Sequence, residues 1–422
     1  MEEIKKILYF QVAGYFKFFA GIRLRKWNPK IVVVTGSSGK TTLLHLLESQ
    51  IMDKAKYSHH ANSSYGIPFD ILNLHRESLQ KSEWIALFLK APFAAFKKIP
   101  KEKIYIVEAD CDRPNEGKFL ASFLKPDIVL WLNVSRTHSM NFDALVEEKK
   151  FNLVDEAIAY EYGYFLEYCS EKVIINGDLK LITQQSSRTK ATVNKISKKE
   201  LKKYDVTIEG TEFVTEDKSY SLNFLLPEDT MYAIQAAKLT QGSLGMMFDA
   251  HFSKFVMPPG RSSLFKGIKD TIIVDSSYNA NLNSMEVILD MFDKITSQKK
   301  WVILGDMLEQ GKEEQEEHEK LAELLNKMNL QRIILMGPRV SRYTYPKLKS
   351  LVDNKIKVEK FIKPKEALDY LLENLEGEEI LLFKGARFLE GVIEHLLSNK
   401  DDVKNLCRRE KIWDIRRKQW GL

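Results

Sequence analysis

The stretch Val32–Ile51, VVVTGSSGKTTLLHLLESQI, limits the fold more than any other part of the chain. A β-branched run enters a Gly-rich turn, Lys-Thr-Thr follows, and Leu43, Leu44, Leu47 and Ile51 recur at helical spacing. A strand, a glycine turn and a helix in that order set backbone N–H groups and the positive helix end against an anion. Gly36, Ser37, Ser38, Gly39, Lys40, Thr41 and Thr42 are therefore expected to cradle phosphate. Lys40 would reach the β and γ phosphates, and the Thr41 hydroxyl would hold Mg²⁺. The turn is shorter than a standard phosphate loop, with Val34 where the first glycine would stand. An ordinary Gly-Ser turn is the competing reading, and the Lys-Thr-Thr that follows argues against it.

Around this unit, Ile31–Val34, Ile104–Val107 and Ile128–Leu132 read as buried strands with helical stretches between them. That alternation predicts an α/β fold with a parallel, doubly wound sheet. Residues 185–225 carry short β patterns that suggest a small antiparallel insert. The sequence MPPGR, Met257–Arg261, punctuates the chain. Beyond it TIIVDSS, WVILGDM, RIILMG and ILLFKGA restart the rhythm, predicting a second, Rossmann-like α/β domain. The expected organisation is an N-terminal helix over 1–28, a phosphate-binding domain over 29–257 and a further domain over 258–422. A chain of 422 residues is too long for one ordinary core, which agrees.

A net charge of +6 over this length gives no reason to expect nucleic acid. Three scattered cysteines, with no CxxC pair, favour neither a disulfide framework nor zinc, and fit a reducing cytoplasm. Two stretches are aromatic, apolar and basic: Ile7–Ile22 with its flanking lysines and arginines, and Trp84–Lys98. Both are too short to span a bilayer. Each fits either a helix packed on the body or a peripheral contact with an anionic membrane.

Glu108 follows the second strand candidate, where a carboxylate points into the ligand crevice and makes a natural metal ligand. His138 follows the next strand candidate and is a candidate second metal ligand or orienter. Taken alone, each is more ordinary as a solvated acid or a structural histidine.

In combination these residues resemble the Mur ligase family of ATP-dependent amide-bond ligases. TGSSGKTT is similar to the family's shortened phosphate loop, and NSSYGIP (Asn62–Pro68) to its Asn-rich Gly-Val-Pro element. EAD, KPDIVLWLNVSRTH, PPGRSSL and IIVDSSYNANLNSM resemble further elements in the family's order. LGDMLEQGKEEQEEH and LFKGARFLEGV point to the branch that adds D-alanyl-D-alanine to a UDP-muramoyl-tripeptide in peptidoglycan synthesis. The resemblance runs from about Ile31 to Leu397 and identifies the domain over 258–422 as the ligase domain.

The resemblance implies ATP and Mg²⁺, bound by Lys40, Thr41 and Thr42, with Glu108 and His138 on metal. It implies a lysine, often carbamylated, that steadies a second metal; Lys150 is the match and Lys149 the alternative. Arg261 and Asp275 would meet the nucleotide. Tyr278, Asn279 and Asn281 would face the acyl phosphate, and Lys384, Gly385 and Arg387 the incoming amine or its carboxylate. The implied partners are a small cell-wall precursor and an amino acid or dipeptide, joined through an acyl phosphate with MPPGR as hinge. Two departures stand out. The family's adenine-contacting His-Asn pair is replaced by a stretch offering Glu228 and Asp229, and only about thirty residues precede the phosphate loop. The second expectation is therefore a chain without the usual UDP-binding domain. A folate-polyglutamate or polyamino-acid ligase, and a membrane-associated nucleotide-binding scaffold, are the competing functions.

Overall fold

The computed structural model describes residues 2–59, 61–76, 81–216, 218–352, 356–386 and 388–422. They form two compact units, Met1–Ser135 with Asn141–Lys198 and Tyr232–Phe255, and Arg136–Met140 with Lys199–Met231 and Val256–Leu422.

The first unit is built on a six-stranded sheet. Its strands are β1 (Lys30–Thr35), β2 (Ala55–Tyr57), β3 (Ile104–Glu108), β4 (Ile128–Trp131), β5 (Lys172–Asn176) and β6 (Thr192–Ile196). They lie in the order β2-β3-β1-β4-β5-β6, and every pairing is parallel. The central strands read as continuous apolar runs because helices cover both faces. These helices are α1 (Glu2–Trp27), α2 (Lys40–Ile51), α3 (Gly66–Leu72), α4 (Lys81–Ala94), α5 (Glu116–Leu124), α6 (Asp143–Glu147), α7 (Val154–Glu167), α8 (Lys180–Gln185) and α9 (Thr230–Ser243). The phosphate-loop residues join β1 to α2, at the carboxyl end of a central strand.

Of the two readings of the N-terminal stretch, packing on the body accounts for one face of α1. Ala13, Phe16, Ala20, Leu24 and Trp27 are buried. The Arg23 guanidinium, also buried, donates to the carbonyls of Ala94 at 2.7 Å and Lys98 at 2.8 Å, closing the end of α4. Pro92 inside α4 has no N–H for the Phe88 carbonyl one turn back. Tyr15 on α1 supplies the missing donor, its hydroxyl reaching that carbonyl at 2.8 Å.

The second unit holds a three-stranded antiparallel sheet, β7 (Leu201–Thr207), β8 (Gly210–Thr215) and β9 (Ser219–Leu222). Its larger sheet contains β10 (Ser263–Lys266), β11 (Ile272–Ser276), β12 (Lys300–Gly305), β13 (Arg332–Met336), β14 (Lys357–Phe361) and β15 (Ile380–Lys384). The order is β10-β11-β15-β12-β13-β14, with only β10 antiparallel. Its helices are α10 (Leu282–Lys294), α11 (Glu314–Asn326), α12 (Tyr345–Leu351), α13 (Pro364–Asn374), α14 (Leu389–Leu396) and α15 (Lys411–Gln419).

The short β patterns of residues 185–225 thus divide. Residues 201–222 are the antiparallel insert, but Thr192–Ile196 extends the parallel sheet of the first unit, Ile174 facing Asn194. Its lower apolar content suits an edge strand, which has one partner and an exposed side.

Candidate active site

The loop after β1 is shaped by its glycines and pinned by one asparagine. Gly36 has φ 122° and Gly39 φ 76°. A Cβ at Gly36 would lie 2.7 Å from the Asn133 carbonyl oxygen, so the close approach requires glycine. The Asn133 side chain accepts from Ser38 N at 2.8 Å and donates to Ser38 O at 2.9 Å and Oγ at 2.8 Å. Ser37 Oγ donates to Ser135 O at 2.7 Å and accepts from Ser135 N at 2.9 Å. Gly39 begins α2 without a side-chain cap, leaving the first-turn N–H groups to an anion.

Lys40 is buried, with Nζ 2.5 Å from the Gly36 carbonyl and 2.7 Å from Asp110. Burial works against its charge, but Asp110 and Glu108 outweigh burial and hold the ammonium above its usual pKa. The Thr41 hydroxyl donates to Glu108 at 3.0 Å. A hydroxyl and a carboxylate converging at the end of a phosphate loop are hard oxygen donors, the set that suits Mg²⁺. Asp110 in turn accepts from Tyr162 at 2.6 Å. Ser64, in the Asn-rich element, donates to the buried Glu116 through N at 3.0 Å and Oγ at 2.7 Å.

In the second unit β11 and β15 run side by side, with Asp275 opposite Phe383 and Ser276 opposite Lys384. Period-two alternation sends Asp275 and Lys384 to opposite faces of the sheet. Lys384 is buried and donates to the Asn279 carbonyl at 3.1 Å. Burial, aided by the Arg261 charge, lowers its pKa to about 7. Arg261 lies 4.5 Å from the Tyr278 ring centroid. Arg261, Tyr278, Asn279 and Lys384 therefore come together. Asn281 caps α10, its Oδ1 accepting from Ser284 N at 2.8 Å, so its amide is first a structural cap.

Asp275 is fully buried and accepts from Ser277 N at 2.9 Å, while its Oδ2 has no hydrogen-bond partner among the described residues. Burial pushes its pKa up to about 6 against the Ser277 hydrogen bonds; nearby Glu390 adds to the rise and Arg408 opposes it. Arg408 also donates to the Tyr278 carbonyl and, at 3.3 Å, to the Ser277 carbonyl. The basic C-terminal segment thus clamps the loop after β11.

Other expected residues sit differently. His138 adopts φ 53°, and its Nδ1 meets the Glu309 carboxylate. Lys150 Nζ pairs with Glu148 at 2.6 Å and is 61% exposed; Lys149 takes φ 56° in the turn after α6. Glu228 pairs with Lys294 at 3.1 Å. Arg387 lies outside the described residues.

Sequence reasoning did not single out Asp110, Asn133, Arg408 or Glu390. Asp110 lay within the quoted EAD and Asn133 within NVSRTH, but their roles depend on contacts across neighbouring strand ends. The LGDMLEQGKEEQEEH segment has a structural account. Asp306 accepts from Arg339 N and Val340 N, each at 3.0 Å. His318 is buried with its pKa lowered by that burial; Nδ1 donates to the Glu314 carbonyl at 2.7 Å and Nε2 accepts from Met307 N at 3.3 Å.

Comparison with known proteins gives two family matches, the Mur ligase middle domain over residues 34–235 and the Mur ligase glutamate ligase domain over residues 260–387. The UDP-N-acetylmuramoyl-tripeptide–D-alanyl-D-alanine ligase of Borreliella burgdorferi is 24% identical over 87% of this chain and 74% of its own length. The enzyme of that name from Escherichia coli K12 is 23% identical over 73% of this chain and 64% of its own length. Among solved structures, the MurF ligase of Thermotoga maritima in complex with ADP aligns with a TM-score of 0.72 at 21% identity, over 93% of this chain and 84% of that one.

Proposed function

This chain belongs to the Mur ligase family of ATP-dependent, ADP-forming peptide ligases, and on that premise we propose that it adds D-alanyl-D-alanine, or a similar amine, to a muramoyl-peptide precursor of peptidoglycan. The observation that supports this reading most is the pairing of Lys40 with Asp110 and of Thr41 with Glu108 at one phosphate-sized turn. The names of the relatives supply the substrate class.

A carboxylate and an amine do not condense in water at neutral pH without activation. In the proposed reaction a carboxylate oxygen of the precursor attacks the γ-phosphorus of ATP, and ADP leaves. The amine nitrogen then attacks the acyl-phosphate carbon, inorganic phosphate leaves, and the amine loses a proton. Bound Mg²⁺ would neutralise charge on the transferring phosphoryl group. Thr41 and Glu108 would hold it. Lys40, kept charged by Asp110, would offset negative charge on the β and γ phosphates, and the N–H groups of Gly39 to Thr42 would orient them. In the second unit the Arg261 guanidinium and Lys384 Nζ would bind a substrate carboxylate. Lys384, held near neutrality, would also accept a proton from an incoming ammonium. His138 and Lys150 remain candidates for a second metal. We place the reaction in the cytoplasm, where ATP is available.

The intermediate is testable by isotope transfer. With precursor labelled by ¹⁸O in its terminal carboxylate, one labelled oxygen should appear in each phosphate released. Unlabelled phosphate would refute the acyl-phosphate route.

A further inference from the structure

On α4, Ile85, Leu89 and Phe93 are 66%, 66% and 75% exposed, and Phe96 in the following turn is 68% exposed. One exposed apolar side chain is ordinary, but four large ones on one face are not. At the helical angle per residue Ile85, Leu89 and Phe93 fall within a sector of roughly 80°, and Phe96 follows them in the turn. The opposite face carries Leu87, Ala91 and Ala94, buried in the core. A helix apolar on both sides has more hydrophobic surface than its own unit can cover.

The neighbouring elements enlarge this face and give it a sign. On α1, which packs against α4 through Tyr15 and Phe88, Phe18 is 63% exposed. Lys26 Nζ lies 4.2 Å from the Phe96 ring centroid. Lys90, Lys97 and Lys98 are exposed beside the stripe. Residues 81–103 contain six lysines against two glutamates. Of those glutamates, Glu83 pairs with Arg76 at 3.6 Å.

We propose that this face docks on an anionic lipid bilayer, with α4 lying in the interfacial plane, Leu89, Phe93 and Phe96 inserted, and Lys26, Lys90, Lys97 and Lys98 on headgroup phosphates. An apolar stripe bordered by lysines is the pattern of an interfacial helix. The same lysines disfavour a second copy as occupant, because two such faces would bring like charges together. Among the described residues, no helix is long and apolar enough to cross a membrane, so the contact is peripheral. The proposal does not depend on the ligase chemistry.

The test is co-sedimentation of the full chain with vesicles at low salt. Binding is expected to equimolar phosphatidylglycerol–phosphatidylcholine vesicles, to weaken as salt rises, and to be much lower on phosphatidylcholine alone. The L89S/F93S/F96S variant should bind at least about 30-fold more weakly, because three inserted side chains are lost. An ATP-induced rise in melting temperature equal to that of the parent would show the variant folded. K90E/K97E/K98E, altered only at exposed lysines, provides an independent variant and should lose binding as well. No binding by the parent, binding unchanged in both variants, or a salt-independent dimer that L89S/F93S/F96S abolishes in the absence of vesicle binding would each overturn the proposal.

Discussion

Lys40 and Asp275 are both buried ionisable groups, and they differ in the partner each has: a carboxylate faces Lys40, whereas Asp275 accepts from Ser277. Lys40 has Asp110 at 2.7 Å, so its charge is stable before any nucleotide arrives. Lys40→Ala removes the cation facing the phosphates and should lower kcat by on the order of 10³-fold. It should also cost about 3 kcal/mol of stability, because Asp110 loses its ammonium partner. Turnover near the parent rate would refute the loop assignment. Asp275 has an Oδ2 with no hydrogen-bond partner among the described residues and a pKa raised from 3.8 to about 6. Between those values the folded state binds a proton that the unfolded state has lost, so this group lowers stability as pH rises through that range. Asp275→Asn should therefore gain stability, on the order of 3 kcal/mol, above pH about 6 and gain little below pH about 4. Melting curves at both pH values would check this, and an equal gain at both would contradict it. At this scale the placing of Lys40, Thr41 and Glu108 at one turn was legible, because a glycine turn and a strand end fix their positions locally. Asp110 and Asn133 were not legible as partners, since their contacts join segments about 70 and 95 residues away.

At the level of elements, close backbone approach sets the tightest demand. Gly385, directly after β15, has φ 153°, and a Cβ there would lie 2.4 Å from Gly305 N and Cα. Backbone cannot move aside as a side-chain tip can, so Gly385→Ala should destabilise the second unit by roughly 3 kcal/mol or more. Urea unfolding would measure the loss, and a change below about 1 kcal/mol would contradict the packing described. The buried strands β1, β3, β4, β11, β12, β13 and β15 are apolar runs and were readable as such. The edge strands β10 (SLFK) and β14 (KVEKF) were not, because each has one strand partner and carries charged residues. The N-terminal helix was readable in outline, but whether it packed was decided by Arg23 and Tyr15, whose carbonyl partners lie on α3, α4 and the turn that follows α4.

For the whole molecule, the order of motifs along the chain said more than any one of them. Phosphate loop, Asn-rich element, EAD, PPGR, SYNAN and KGA appear in family order, and the two family matches cover the same ground. A scaffold that only binds nucleotide would not need the second unit's cluster of Arg261, Tyr278, Asn279 and Lys384. The substrate was less legible, since recognition of a sugar-peptide depends on surfaces that no local motif encodes. The most direct measurement is ADP release from ATP and Mg²⁺ with UDP-muramoyl-tripeptide, with and without D-alanyl-D-alanine, with mass spectrometry of the products. The account predicts ADP release that requires both substrates and is matched one for one by an amide product. ADP release that ignores the amine, or no amide product from protein that binds ATP, would contradict it.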